Sequence, residues 1–155
     1  MSQAVLISLL RRDTKRGGSL MNFANERPLL SPPNMNFNNN WHLMPNPEGS
    51  YFISFVDTNG PTPDGLVMTV EPNRGQDSMM NIVLRQIMGS DTQSWTVRAG
   101  PEGSYQICCV AVPYMCMGVG GVPVPAGASG MAVSAKHAQG GGPDMWWRFE
   151  NLARG

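Results

Sequence analysis

Side chains that could support catalysis or metal binding are few in this sequence of 155 residues, and they are dispersed. His42 lies beside Trp41 in a predicted strand, and His137 lies in a predicted glycine-rich loop. The acidic residues fall at predicted turns, so no set of nucleophile, histidine and acid is indicated. The sequence therefore predicts a protein that is not an enzyme and that holds neither a cofactor nor a metal.

The three cysteines, Cys108, Cys109 and Cys116, do not suggest a disulfide framework, because their number is odd. Cys108 and Cys109 are neighbours in a predicted strand, so their side chains point to opposite faces and cannot share one site. We expect all three to be buried thiols of a protein that is kept in a reducing compartment.

Charge is low and balanced, with 11 basic and 11 acidic residues. The one basic cluster, RRDTKRG at 11–17, is typical of an exposed loop, and we expect no nucleic-acid partner. No stretch approaches the roughly 20 apolar residues of a membrane span. The opening apolar run is short and its positive charges follow it, unlike a secretion signal, so we expect a cytoplasmic protein that does not bind membranes.

Part of the sequence repeats. PEGSYFI at 47–53 returns as PEGSYQI at 101–107, and Trp41 returns as Trp95 at the same interval of 54 residues. A third tryptophan strand, around Trp147, follows near the end. The spacing indicates three units of one domain, about 1–46, 47–100 and 101–155.

Each unit contains four short segments that read as strands, several of them alternating between apolar and polar residues, with turn residues between them. The segments are 4–10, 19–24, 28–30, 40–44, 50–56, 66–70, 80–87, 94–98, 104–112, 115–119, 130–135 and 145–150. Twelve strands in three fourfold units predict an all-β protein, a β-trefoil with pseudo-threefold symmetry. Six strands would close a barrel and six would form hairpins that cap one end. The PEGSY turn then joins one unit to the next, and the tryptophans are core residues.

The sequence QSW at 93–95 resembles the Gln-x-Trp signature of the ricin-B-like β-trefoils. The resemblance implies carbohydrate binding as one function. The hairpin stretches GSLMNFA, GLVMTVE and MCMGVGG lack the Leu-Asp-Val pattern of the usual sugar site, so such a lectin would use a nonstandard site. Because neighbours in a strand point to opposite faces, we expect Trp146 to point away from the core tryptophan Trp147, which makes it the candidate exposed platform for a sugar.

The chain also resembles fungal protease inhibitors of the cospin and mycocypin type, through its W-x-V…G-x-Y-x-I rhythm and its closing WWRF. This resemblance implies inhibition of a trypsin-like serine protease by a surface loop that enters the cleft as a substrate would. The first candidate loop is Asn25, Glu26, Arg27 and Pro28, in which Arg27 fills the specificity pocket and Pro28 restrains the backbone.

Two further loops offer secondary candidates. Lys15 and Arg16 stand in the loop after the first strand, beside paired glycines that make it flexible. Asn59 resembles the residue with which mycocypins inhibit asparaginyl endopeptidase, so an inhibitor of that enzyme or of cysteine proteases is a second alternative to the trypsin inhibitor.

Overall fold

The computed structural model describes residues 3–9, 20–23, 27–30, 40–56, 66–72, 79–120, 131–137 and 145–151. These residues confirm the all-β prediction, since they form mainly strands and the turns between them, with single-turn 3-10 helices at Asp91–Gln93 and Pro101–Gly103. The strands are β1 Gln3–Leu9, β2 Leu20–Phe23, β3 Arg27–Leu30, β4 Asn40–Pro45, β5 Tyr51–Val56, β6 Leu66–Pro72, β7 Met79–Gln86, β8 Trp95–Ala99, β9 Tyr105–Cys109, β10 Met115–Val119, β11 Met131–His137 and β12 Trp147–Asn151.

Six strands pair in a closed ring. Strand β1 pairs with β4, β4 with β5, β5 with β8, β8 with β9, β9 with β12, and β12 again with β1, all antiparallel. The ring leaves no open edge in this part of the sheet, which closes a small barrel around the core.

The other six strands form three hairpins, β2 with β3, β6 with β7, and β10 with β11. Strand β11 also pairs with β7 and with β3, so the hairpins contact one another as well as the barrel. Each hairpin thus covers apolar surface that its own few strands cannot bury alone.

The PEGSY segments are hairpin turns, as predicted. They join β4 to β5, where Pro45 lies opposite Tyr51, and β8 to β9, where Ala99 lies opposite Tyr105. Their glycines have φ angles of +87° and +76°, a conformation that glycine adopts without a steric penalty.

Three tryptophans fill the core, and the prediction that they are core residues is confirmed. Trp41, Trp95 and Trp147 are all 0% exposed. Each indole Nε1 donates a hydrogen bond to a carbonyl in a hairpin strand: to Leu20 at 3.1 Å, to Met68 at 3.1 Å and to Met117 at 3.0 Å. These bonds tie the barrel to each of the three hairpins and satisfy the buried polar atoms.

The cysteine expectation is wrong for two of the three residues. Cys108 in β9 and Cys116 in β10 lie directly opposite one another and form a disulfide, while Cys109 is a buried free thiol. An odd count is compatible with one pair and one thiol, and register across two antiparallel strands selects the pair. The cysteines therefore no longer support a reducing compartment, because disulfides persist mainly in oxidising compartments.

Candidate functional site

Of the first candidate loop, the structure describes Arg27 and Pro28, and it places both in strand β3 and not in a loop. Arg27 is the first residue of β3 and lies opposite Phe23 in the β2–β3 hairpin. Pro28 behind it is buried. Asn25 and Glu26 lie outside the described residues, as do the secondary candidates, which are Lys15, Arg16 and Asn59.

The Arg27 side chain is half-buried, and two of its nitrogens are out of reach of solvent. Neither Nε nor Nη2 has a hydrogen-bond partner within the part of the chain that the structure describes. Desolvation by burial lowers the pKa of the guanidinium from its ordinary value. A buried donor without an acceptor costs free energy, so Arg27 has donors that a partner can satisfy.

Arg85 in β7 shows the contrasting arrangement. Its Nε donates to Glu71 Oε2 at 2.9 Å and its Nη2 donates to Glu71 Oε1 at 3.1 Å. The two residues thus form a bidentate salt bridge on the surface. The guanidinium of Arg85 is thereby paired with a residue of its own chain, whereas Nε and Nη2 of Arg27 have no such partner in the described residues.

A second exposed segment joins β7 to β8, and sequence reasoning did not single it out. Residues 85–91 are all exposed, the longest such run in the described ranges, and buried residues 82–84 and 93–95 flank it. Within the run, the side chain of Ile87 is 39% exposed and that of Met88 is 83% exposed. The apolar side chains of Ile87 and Met88 are therefore exposed to solvent in a connection that is flanked on both sides by buried residues.

The buried side-chain amide of Gln93 holds this segment. Its Nε2 donates to the carbonyl of Gln86 at 2.8 Å, and its Oε1 accepts the backbone N–H of Met88 at 2.7 Å. Nε2 also lies 3.3 Å from Thr69 Oγ1 in the neighbouring strand β6. Gln93 is the glutamine of the QSW motif, so the sequence contained the signal, although its role was not predicted.

The base of the segment is fixed to the chain that follows β9. The carbonyl of Asp91 accepts the N–H of Ser94 and that of Ala111, each at 3.3 Å, and Val110 N–H donates to the carbonyl of Ser94 at 2.9 Å. These bonds order the connection before any partner binds.

The aromatic platform expected at Trp146 is only half-exposed, because the ring packs over Gly100. A different aromatic side chain is more open. Tyr114 is 57% exposed and stacks on His137, with ring centroids 5.1 Å apart. This stacked pair is the most accessible aromatic surface in the described ranges.

Within those ranges, no group of three or more His, Cys, Asp or Glu side chains is arranged to hold a metal ion. The helices described there are single turns, and none is long or apolar enough to cross a membrane.

No protein-family model and no curated protein matches this sequence. Several solved structures are similar to it in fold. A mosquitocidal holotoxin is similar over 98% of this chain with a TM-score of 0.73 and 14% identity, and this chain covers 16% of it. The S. cerevisiae protein O-mannosyltransferase Pmt1–Pmt2 complex, bound to the sugar donor, is similar over 97% of this chain with a TM-score of 0.72 and 12% identity. This chain covers 24% of that structure.

ThreeFoil, a designed threefold-symmetric protein, matches at full length, with 96% of this chain and 99% of ThreeFoil covered. The TM-score is 0.62 and the identity is 18%. Similarity at this level of identity concerns the fold alone. The protein therefore has a β-trefoil-like all-β fold.

Proposed function

We propose that the chain is a β-trefoil with pseudo-threefold symmetry and that its function is carried by the segments that join the strands. Three relationships support the symmetry: a ring of six strands, three hairpins, and one tryptophan-to-carbonyl bond per hairpin. A closed barrel of this kind has a filled interior, so recognition falls to the connections.

We further propose that the protein inhibits a trypsin-like serine protease by inserting the start of strand β3, in the β2–β3 hairpin, with Arg27 in the specificity pocket. One observation carries this proposal: the buried Nε and Nη2 of Arg27 have no acceptor in the described scaffold. The trypsin pocket presents a carboxylate, which would satisfy these donors.

Insertion requires the Arg27 side chain to rotate outward from its half-buried position. In the described scaffold, no hydrogen bond of Nε or Nη2 is lost in that movement. The buried Pro28 holds the backbone behind Arg27, which limits the ordering cost on binding.

The test is titration of trypsin with the protein and with Arg27→Ala. We expect the substitution to weaken inhibition about 30-fold or more, since an anchor residue in a buried pocket contributes 2 kcal/mol or more. Arg27→Lys should retain part of the inhibition. Arg98→Ala, at an exposed arginine of β8, is the matched control and should change nothing. Equal inhibition by Arg27→Ala and the unmodified protein would overturn the assignment.

A second candidate function is carbohydrate binding at the Tyr114–His137 pair. It is favoured by an exposed aromatic ring beside an imidazole, which offers an apolar face and polar atoms to a sugar ring. Glycan-array binding that Tyr114→Ala abolishes and Trp146→Phe preserves would support this alternative.

A further inference from the structure

We propose that the peptide bond between Ile87 and Met88 is the reactive bond of a second protease-binding loop, directed at serine endopeptidases with a small aliphatic specificity pocket. The site is separate from Arg27 in the chain, since it lies in the connection from β7 to β8. It shares with the proposed function only the general mode of loop insertion.

The first argument is presentation. Strand β7 runs extended up to Gln86, and the chain then continues through exposed residues until the single helical turn at Asp91. A protease binds the residues before the scissile bond as an extended strand, and β7 supplies that shape up to Gln86. After the bond the chain turns at Gly89, whose φ is +73°. The strand and the hydrogen bonds of Gln93 to Gln86 and Met88 order the segment in advance, which lowers the entropy cost of binding.

The second argument is the position of the Gln93 amide, which spans Ile87. It holds the Gln86 carbonyl on the N-terminal side of Ile87 and the Met88 N–H on its C-terminal side, at 2.8 and 2.7 Å. The nitrogen of the Ile87–Met88 bond and the carbonyl of the residue before Ile87 are therefore both hydrogen-bonded to one residue, Gln93, which is 1% exposed.

The two hydrogen bonds of Gln93 also explain why the loop would act as an inhibitor and not be cleaved and released as a substrate. When the protease serine attacks the Ile87 carbonyl, the bond to the Met88 nitrogen breaks, and the serine proton passes through the catalytic histidine to that nitrogen. The new amine stays beside the Ile87 acyl group because Gln93 holds both sides. It can re-attack the ester, return the proton to the serine and restore the peptide bond before water enters.

The third argument is side-chain chemistry. Ile87 is branched, aliphatic and uncharged, which suits the small apolar pocket of an elastase-type enzyme and not the acidic pocket of a trypsin-type enzyme. Its 39% exposure leaves it accessible.

The test measures inhibition of elastase and of trypsin with chromogenic peptide substrates. We expect the unmodified protein to inhibit elastase and Ile87→Arg to weaken that inhibition about 30-fold or more. In an Arg27→Ala background, Ile87→Arg should create trypsin inhibition. Met131→Arg is the matched control, since Met131 is also 39% exposed but lies in β11, and it should alter neither enzyme.

Gln93→Met tests the positioning role, because it retains the side-chain volume and removes the amide. We expect elastase to cut this variant between Ile87 and Met88 at least about tenfold faster than the unmodified protein, as fragment masses would show. A purely structural role would lower the melting temperature without concentrating cleavage at that bond. The proposal is overturned if the unmodified protein does not inhibit elastase, if both proteins are cut at the same rate, or if Ile87→Arg gains no trypsin inhibition. If the single variant Arg27→Ala loses trypsin inhibition, that result concerns only the proposed role of Arg27 and not the Ile87–Met88 site.

Discussion

The indole nitrogen of Trp95 donates a hydrogen bond to the main-chain carbonyl of Met68, 3.1 Å away and 27 residues earlier in the chain. Trp95 belongs to the barrel and Met68 to a hairpin. Both residues are 0% exposed, so the bond lies where water cannot replace it. The equivalent bonds of Trp41 and Trp147 repeat this contact between the barrel and the other two hairpins.

Replacement of a core tryptophan should therefore destabilise the whole fold. We expect Trp41→Phe, Trp95→Phe and Trp147→Phe each to lower the free energy of unfolding by about 1–3 kcal/mol, because each leaves a buried carbonyl unpaired and a cavity behind. Urea unfolding followed by circular dichroism measures the loss. Trp146→Phe, the same change at the half-buried neighbour, is the control and should cost less. Equal losses at Trp146 and Trp147 would contradict the role given to the indole bonds.

The disulfide can be tested by counting thiols and by stability. The unfolded, unreduced protein should react with a thiol reagent at Cys109 alone, and the reduced protein at all three cysteines. Because the bridge closes a loop of 8 residues' separation, we expect Cys116→Ser to lower the free energy of unfolding by about 2.5 kcal/mol. Addition of a reducing agent should lower the stability of the unmodified protein by a similar amount and leave that of Cys116→Ser unchanged. Three reactive thiols before reduction would instead restore the expectation of a reducing, cytoplasmic location.

Cys109 should make the stability depend on pH in the alkaline range. Burial raises the pKa of its thiol above the ordinary value of 9.0, and the backbone groups of Ala111 and Val112 offset part of that rise. Above pH 9 the unfolded chain loses this proton more readily than the folded protein, so stability falls as the pH rises toward the folded-state pKa. The unmodified protein should lose stability relative to Cys109→Ala over this interval. Parallel curves of unfolding free energy against pH for the two proteins would contradict the burial of a protonated thiol.

Gly100 is expected to tolerate no side chain. A methyl group there would overlap the Trp146 ring and lie 2.9 Å from Ser104 Oγ. We expect Gly100→Ala to lower the unfolding free energy by about 1–3 kcal/mol, the usual cost of overpacking. In a Trp146→Ala background the same substitution should cost much less, and this difference measures the contact between the two residues. If the losses of unfolding free energy from Gly100→Ala and Trp146→Ala are additive, the Trp146 ring is not what excludes a side chain at position 100.

The sequence predicted the secondary structure well because that information is local. Each predicted segment overlaps an observed strand. A strand can be recognised from its own residues, because apolar and polar side chains alternate along it and turn residues bound it. The PEGSY turns and the core tryptophans were likewise predictable, because repetition at a fixed interval indicates equivalent positions. The all-β class followed from these signals alone.

The residues to which a function is proposed depend on hydrogen-bond and disulfide partners that local sequence patterns do not identify, and only the tertiary structure supplied those partners. Pairing of β9 with β10 joined Cys108 to Cys116, and the turn of the chain around Ile87 let Gln93 reach Gln86, Met88 and Thr69. The unpaired nitrogens of Arg27 are visible only once its surroundings are known. A sequence records which residues are present and how they alternate, whereas burial and hydrogen bonding are set by the chain segments that folding brings together.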